Sequence, residues 1–598
     1  MPIARRCAAG IVVLAVMLGL AVQARAQALK HLPADSVVVF KLNNPEAVSE
    51  KLGAMAQKLG LANLDPALAD PLSAVKKQFN LQQGFDQKGE VAVAMLMPPD
   101  GEDEPRFMAL FPVSDYQAFL KNFANVKAEG ELSSFTMPGE EEPIFSANWG
   151  NFAAISPWKD LLAKKPEGIE VAGLPARQLQ DNHFVVYVNA KYLGAKFLPQ
   201  FQQMRPAILA QMEAELGADK NFNQKFTPVM KSLVDRFFAF AELALKEGQA
   251  ATFGLTLTNE GINMTAVGDF VADGYMVKAM GALKSGNAPL VAGLPNRKYF
   301  AWGGVAMDPQ AMASLVEDMV APVRAELAKV EEAKPFMPMF DTARTMVEAM
   351  DSMAFGYVVP EGQPGQVSML QQVAVTTGNA RKIAELNRQY LQGSGELMKS
   401  LMGTGNANMA VTMNVQPNAK QVDGVSMDTF SMQFKMDPND PAAAQAQMMM
   451  NMMYGPNGMS GFMGAVDERT YLAVVGGDEQ LLTQSVASAK SKDAGLMGAA
   501  HIQAVSGQLP PQRGAVMFLA LDNVIAEVVK FAGMMGAQIP LRLPPDLPPV
   551  GMSIGTEGSS VRVDAHISTT LIENLVSAGI QMQMMMQQQR QRPPQGGL

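Results

Sequence analysis

Residues 32–45, LPADSVVVFKLNNP, contain the pattern that decides the fold. The apolar run 37–42 is typical of a buried strand. Asn44 can accept hydrogen bonds from the free N–H groups at a helix start, and Pro45 fits the first helical position, which needs no backbone donor. The next apolar residues share one helical face: Val48, Leu52, Met55 and Leu59. The sequence therefore predicts a strand followed by a capped helix.

The same order of strand, cap and helix recurs along the chain. Apolar runs at 300–305 and 471–475 are followed by Asp308 and Asp478 in the capping position. A Leu-Pro pair precedes four of the strands, at Leu32-Pro33, Leu174-Pro175, Leu294-Pro295 and Leu509-Pro510. The Leu-Pro pair, the capping residue and a glycine-containing turn occur in the same order in these units. We therefore predict internal duplication. Chance recurrence of common strand–helix units is the alternative.

Three predicted hairpins separate these strand–helix units. Their strands are 251–258 with 262–270, 353–359 with 367–375, and 550–556 with 561–567. Each connection contains glycine, which supplies the positive φ that tight turns need. Hairpins mixed with strand–helix steps predict an α+β fold of tandem modules, with largely antiparallel sheets and helices packed on one face.

We predict four related modules between a signal peptide and a tail. The predicted ranges are a signal peptide at 1–26, modules at 27–173, 174–291, 292–508 and 509–586, and a disordered tail at 587–598. The first module carries inserted strand–helix units, and the third carries an irregular Met- and Gly-rich insertion at 436–464. The tail is predicted from its Gln, Arg, Pro and Gly content.

The N-terminus has the features of a secretory signal peptide. Arg5 and Arg6 precede an apolar run at 8–22, and Ala24-Arg25-Ala26 is an A-x-A cleavage site. The run is shorter than the ~20 residues of a membrane-spanning helix, although an uncleaved anchor remains the alternative. Cleavage removes three arginines and Cys7, the single cysteine, so the formal charge moves from −9 to −12. We expect a secreted or periplasmic, cysteine-free mature chain.

Charge and hydropathy limit the possible partners. The balance is acidic and no dense Lys/Arg cluster occurs, which argues against nucleic acid and anionic membranes. No segment after the signal has ~18 uninterrupted apolar residues, so we expect no transmembrane span after cleavage. The expected partner is an unknown envelope protein or an apolar ligand.

Two serine motifs have spacings typical of catalytic sites. Gly551-Met552-Ser553-Ile554-Gly555 has the spacing of a nucleophile elbow, but a second strand follows where the elbow requires a helix. Ser73-Ala74-Val75-Lys76, Ser146-Ala147-Asn148 and Lys284-Ser285-Gly286 follow the order found in serine β-lactamases and penicillin-binding proteins, with Ser73 as nucleophile. The Lys-Ser-Gly part of this motif belongs on the edge of a strand. Lys284, however, comes at the end of an apparent helix at 275–283. We assign no catalytic residue.

No metal or cofactor residue is assigned either. The four histidines, His31, His183, His501 and His566, lack the spacing of a zinc site. The 45 methionines include clusters at 448–453 and 582–586. Thioethers are ligands for Cu(I) or Ag(I), which makes residues 448–453 a candidate site. The alternative is that methionine acts as an adaptable core residue throughout the chain.

Residues 32–40, Leu-Pro-Ala-Asp-Ser-Val-Val-Val-Phe, followed by a capped helix, resemble the start of uncharacterised secreted bacterial envelope proteins with domains of unknown function. The resemblance covers most of the mature chain and implies repeated α+β domains, without catalytic residues to transfer. Our leading hypothesis is an exported, soluble, non-enzymatic binding or scaffold protein of the cell envelope. The alternatives are a periplasmic Cu(I)- or Ag(I)-binding protein and, third, a serine acyl-enzyme of the penicillin-binding type.

Overall fold

A computed structural model describes residues 28–591, except for 100–101, 103, 138–141, 219–226, 363–367, 404–408, 437–440, 456–457, 493–494, 535 and 538. The predicted signal peptide and residues 592–598 of the predicted tail lie outside these residues. The chain divides into two compact units. The first unit contains residues up to 198, residues 244–274 and residues from 557 onward, and the second contains 199–243 and 275–556.

The first unit is built on an antiparallel sheet of eleven described strands. Along the sheet they lie in the order β4-β5-β6-β7-β3-β2-β1-β8-β9-β10-β20. The strands are β1 (Val38–Asn43), β2 (Glu90–Leu96), β3 (Arg106–Pro112), β4 (Ala124–Glu129), β5 (Leu132–Thr136), β6 (Ile144–Asn148), β7 (Phe152–Ser156), β8 (Phe184–Val188), β9 (Gly248–Leu257), β10 (Gly261–Phe270) and β20 (Ser560–Ser568).

The second unit contains the remaining nine described strands, which also pair antiparallel throughout. Their order is β14-β15-β16-β17-β13-β12-β11-β18-β19. Adding ten to each strand number converts the first nine positions of the first sheet into this order. The strands are β11 (Tyr299–Ala306), β12 (Met350–Val358), β13 (Gln371–Gly378), β14 (Met409–Val422), β15 (Val425–Met436), β16 (Met459–Ala465), β17 (Thr470–Val475), β18 (Ala515–Leu519) and β19 (Val550–Glu557).

Helices connect the strands in both units. The first unit contains α1 (Pro45–Lys58), α2 (Pro71–Gln78), α3 (Tyr116–Leu120), α4 (Gly173–Asp181) and α15 (Thr569–Gln591). The second contains α7 (Tyr275–Met280), α8 (Pro309–Leu327), α9 (Met337–Glu348), α10 (Ala380–Gly403), α11 (Pro441–Tyr454), α12 (Glu479–Ser491), α13 (Ala500–Ser506) and α14 (Leu521–Met534). Two long helices, α5 (Ala190–Ala218) and α6 (Thr227–Glu247), belong mostly to the second unit.

The predicted helix caps are confirmed at three strand–helix junctions. Asn44 Oδ1 accepts the N–H of Ala47 at 3.1 Å, and Asn44 takes a positive φ of 51°, which asparagine tolerates well. Asp308 and Asp478 cap α8 and α12 in the same way, each at 2.8 Å. Asp522, which follows β18, lies in the first turn of α14, where its buried carboxylate accepts the N–H of Leu547.

The α+β class is confirmed, but helices pack on both faces of the sheet rather than on one. In β17, Leu472 and Val474 join the core under α12 and α13, whereas Tyr471 joins a second core with Ile383 of α10. In β2, alternate residues likewise enter two different cores. These strands are apolar on both faces, so both faces need a cover.

The stretch 436–464 is more regular than the sequence predicts. It contains α11 and most of β16. Ala, Gln and Met are strong helix formers, and Pro441 lies at the first helical position, so the segment propagates a helix despite its unusual composition. Residues 587–591, predicted as part of the tail, belong to α15.

Candidate functional site

The serine of the elbow-like motif lies within a continuous strand. Ser553 is in the middle of β19, where its residue pairs with Val516 of β18. Its hydroxyl is buried and has no hydrogen-bond partner among the described residues. No turn into a helix follows it, so the structure lacks the geometry that exposes the serine of a nucleophile elbow.

The other serine motif is spread over a helix, a strand and a loop. Ser73 lies in α2, where its hydroxyl and its backbone N–H bond to Asp70, the capping residue, and hold the pKa of that carboxyl below its usual value. Ser146 is a buried residue of β6 in the same unit. Lys284 follows α7, which ends at Met280, and belongs to the second unit. Beside it, Ser285 Oγ accepts the N–H of Thr556 at 3.0 Å.

The buried histidines form structural hydrogen bonds. Nδ1 of His183 accepts the N–H of Leu257 at 2.9 Å, and Lys51 Nζ lies 3.5 Å from Nε2. Burial, together with the Lys51 charge, lowers the pKa of His183 to about 4. His566 Nδ1 lies 2.6 Å from Oδ1 of Asn263. Within the described ranges, no cluster of three or more His, Cys, Asp or Glu could hold a metal ion.

Methionine occupies both cores and surfaces. Met108, Met427 and Met463 are fully buried in three different cores, as expected for a core-filling residue. On α11, by contrast, Met448, Met449 and Met453 are exposed. Exposed thioethers on consecutive turns of one helix leave the Cu(I) hypothesis a specific location to test.

One ion pair is buried in the first unit. Lys41 on β1 and Glu90 on β2 are 0% and 3% exposed, and Nζ lies 3.3 Å from Oε1. Lys41 also donates to the carbonyl of Leu179 at 2.8 Å, and Glu90 Oε2 accepts the N–H of Ala28 at 3.0 Å. Burial lowers the pKa of Lys41, and the charge of Glu90 opposes this effect. The hydrogen bonds of this pair connect β1 and β2 to α4 and to Ala28. Because both charged side chains are buried, we assign the pair a structural role.

The first unit contains a small apolar cavity that is too small for a ligand. It has about 20 Å³ of free space, which is room for about one water molecule. Its lining is entirely apolar and includes the side chains of Phe79, Phe111, Phe119, Phe123 and Phe135. Such a cavity is a packing defect in an aromatic core rather than a site for a substrate.

Part of the first sheet presents an apolar row that is only partly covered. Phe40, Val186 and Phe253 lie side by side on β1, β8 and β9, and Phe253 is 42% exposed. The row continues through Ala266 of β10, which is also exposed. Helix α1 covers only the end of this face, where Val48 packs with Leu257. We call this row the first open face.

The second unit has an apolar row at the corresponding strands. Met517 of β18 pairs with Met552 of β19, and the two are 36% and 37% exposed. Gly303 of β11 continues the row and pairs with Phe355 of β12. The ring of Phe355 meets that of the exposed Tyr357 edge-on at 6.2 Å. We call this row the second open face.

The two open faces occupy equivalent places in the two strand orders. Val186 and Phe253 lie on β8 and β9, and Met517 and Met552 lie on β18 and β19, the strands at the same positions of the second sheet. Neither row contains a charged side chain. Partly exposed apolar surface of this kind commonly marks a binding site. Sequence reasoning identified these strands but missed the faces, because exposure depends on which helices cover each row.

Comparisons with known proteins identify no family. No protein-family model matches the chain, and no curated protein matches it. Among solved structures, crystal form I of TP0453 has a TM-score of 0.20 at 10% identity and covers 42% of this chain and 79% of its own. Crystal form III of TP0453 has a TM-score of 0.18 at 9% identity and covers 49% and 97%. Likeness at this level carries no argument about fold or function.

The described part of the chain contains no helix whose length and apolar character would let it cross a bilayer.

Proposed function

We propose that the protein is an exported, non-enzymatic binding protein of the cell envelope whose ligand is apolar, in particular a fatty acyl chain. The observation that carries this proposal is the pair of open faces. In both units the open face is apolar and partly exposed, and it lies on strands at equivalent positions. Burial of these side chains would stabilise the fold, and their exposure loses that stabilisation. Retention of the same uncovered row in two units favours use as a binding surface over accident.

The shape of the open faces favours a flexible chain over a compact molecule. Neighbouring strands lie roughly 4.8 Å apart, so the row from Phe40 on β1 to Ala266 on β10 spans roughly 14 Å. A shallow, uncharged row of this length suits an extended acyl chain. The small phenylalanine-lined cavity, in contrast, admits nothing of that size.

Titration with a fluorescent fatty acid tests this function. We expect saturable binding by the full mature chain. Phe253→Glu should weaken binding at the first open face, and Met517→Glu binding at the second, each about 10-fold or more, because a buried carboxylate opposes an apolar contact. Leu64→Glu is the matched control, since Leu64 is 67% exposed and lies outside both rows. Absence of saturable binding, or equal binding by all three variants, would refute the proposal.

The proposed export has its own test. Ala28 and Leu29 are buried, and the N–H of Ala28 binds Glu90, so residues directly after the predicted cleavage site pack into the first unit. Mass spectrometry of protein recovered from the secreted or periplasmic fraction should show a chain starting at Gln27. A chain that still begins at Met1 would favour the anchored alternative.

Cu(I) binding remains a second candidate function because three methionines of α11 are exposed. Titration with Cu(I) under a competing chelator should detect a site, and replacement of Met448, Met449 and Met453 together by leucine should abolish it. Binding that survives the replacement would exclude α11. The acyl-enzyme alternative predicts labelling of Ser73 by a fluorescent β-lactam, although Ser73 already bonds to Asp70.

We also infer that the chain arose by internal duplication. The same strand order in both units supports this, as do the capped helices α1 and α8, which follow β1 and β11. The four Leu-Pro pairs fall into two corresponding sets, before β1 and β11 and before β8 and β18. Two copies of a nine-strand pattern would explain these correspondences, and the finer division into four modules stays a prediction.

A further inference from the structure

The hairpin of α5 and α6 carries an apolar stripe that faces solvent. On α6, Met230, Leu233, Phe237 and Phe240 are all exposed, and Phe237 is 71% exposed. Their spacing of three, four and three residues places them along one side of the helix. This is the spacing of the seam residues in a two-stranded coiled coil. We call these four residues the α6 ridge.

The contacts between α5 and α6 use a different side of α6. Arg205 of α5 binds Asp235 at 2.7 Å and Glu242 at 2.8 Å, and the rings of Phe201 and Phe238 lie 5.5 Å apart. Because helical rotation is 100° per residue, these contacts leave the ridge free of the hairpin's own interface. The ridge is therefore an unpartnered surface of a hairpin that is already held together by other residues.

We propose that the α6 ridge is a self-association surface, at which two copies of the chain pair through their α6 helices. This goes beyond the proposed function and does not depend on it. The exposed Met204 and Ile208 lie on α5, the other helix of the same hairpin. With them, the surface exposes the equivalent of about three large apolar residues, roughly 600 Å² at about 200 Å² each. A stable interface buries about 800 Å² per partner, so the ridge supplies most of the area required.

The charges of the hairpin favour a protein partner over a lipid surface. Helices that lie on anionic membranes flank their apolar face with free Lys and Arg side chains. In the described part of this hairpin within the second unit, Arg205 is bound by Asp235 and Glu242, and Lys231 is bound by Glu213 at 2.7 Å. The third cation, Arg236, bonds to Tyr275. None of these three cations is free to attract lipid headgroups at the ridge.

The sequence of the ridge fits an antiparallel pair related by a two-fold axis. If the axis passes the helix near Asp235, the midpoint of residues 230–240, then Leu233 faces Phe237 of the second copy and Met230 faces Phe240. Each ring then meets a smaller flexible side chain, and every contact occurs twice, as two-fold symmetry requires. A parallel pair would instead place the two Phe237 rings against each other.

Sedimentation of the full mature chain tests the proposal. Over a range of about 1–100 µM, wild type should pass from monomer to dimer. Phe237→Glu should raise the dimer dissociation constant about 30-fold or more, because a central aromatic residue carries a large share of the binding energy and the new carboxylate would be buried against Leu233 of the second copy. Since Phe237 is 71% exposed, circular dichroism should show an unchanged monomer fold.

Leu64→Glu serves as the matched control, because it adds the same charge at a similarly exposed leucine away from the ridge and should dimerise like wild type. The milder Phe237→Ala should weaken the dimer without adding charge. A wild type that stays monomeric over the whole range, or a dimer that both Phe237 variants preserve, would overturn the proposal. Binding of monomeric wild type to phosphatidylcholine vesicles that is lost in Phe237→Glu would also overturn it and would assign the ridge to lipid.

Discussion

His183 shows how one buried side chain makes the stability of the first unit depend on pH. Its Nδ1 accepts the N–H of Leu257, which requires that nitrogen to carry no proton. Burial and Lys51 lower its pKa from 6.5 to about 4. In the unfolded chain the ring keeps its ordinary pKa, so the unfolded state binds more protons between pH 6.5 and 4.

We therefore predict that the free energy of unfolding falls as pH decreases from 6.5 to 4. The contribution of His183 is at most about 3 kcal/mol and is fully present above pH 6.5. Urea denaturation at several pH values should show this, with a smaller decline in His183→Asn, whose side-chain oxygen can still accept the Leu257 N–H. An equally steep decline in His183→Asn would show that other groups are responsible.

The buried pair of Lys41 and Glu90 gives a second prediction for single residues. Lys41→Met should lower the free energy of unfolding by about 3–5 kcal/mol, because it leaves the Glu90 carboxylate buried without its cation. Urea denaturation measures this loss. Adding Glu90→Gln to Lys41→Met should recover much of the stability, since the buried charge is then removed. A double variant that is no more stable than Lys41→Met would contradict this explanation.

At this scale, local roles were predictable from the sequence and long-range ones were not. The capping roles of Asn44, Asp308 and Asp478 follow from residues within a few positions of each helix start. The partner of Lys41 lies 49 residues away on another strand, and neither residue belongs to a recognisable motif. Only the register of β1 and β2 brings the two side chains together.

At the scale of elements, the capped start of α8 is open to a direct test. Asp308 accepts the N–H of Ala311 at 2.8 Å. Asp308→Ala should lower the free energy of unfolding by about 1 kcal/mol, because that donor loses its partner, and Asp308→Asn should cost only a few tenths. Thermal unfolding of the three proteins would measure both. Equal stability of Asp308→Ala and wild type would mean that the cap contributes nothing.

The sequence predicted elements well where spacing and turn residues agree. The hairpins β9–β10 and β12–β13 are confirmed, since alternation and a glycine-containing connection indicate the same structure. The prediction for 436–464 was wrong because the glycines and Asn suggested loops, whereas the run of Ala, Gln and Met inside it has high helix propensity. Composition over a long window masked a local helix.

At the scale of the molecule, removal of β20 should damage the first unit specifically. A chain ending at residue 556 would lack β20, so β10 would pair only with β9 and would expose its other edge along nine residues. An exposed strand edge of this length invites pairing with other chains, so we predict aggregation, measured by light scattering. A chain ending at Leu571 keeps β20 and lacks most of α15, and it should remain dispersed. Aggregation of both chains to the same extent would argue against the role of β20.

The global arrangement was the part least accessible from sequence. The α+β class and antiparallel pairing followed from hairpins and strand–helix steps. The open faces did not, because they depend on the register of β8 with β9 and of β18 with β19 and on which rows the described helices cover. Neither the strand register nor the cover of a sheet face can be read directly from a single sequence.

The position of β20 in the sequence has a consequence for folding during synthesis. This strand completes the first sheet, yet it is encoded after the whole second unit. During synthesis the first sheet therefore stays incomplete until the second unit has been translated. Such a delay would make closure of the first sheet a late event, which follows release from the ribosome of the segment that contains β20.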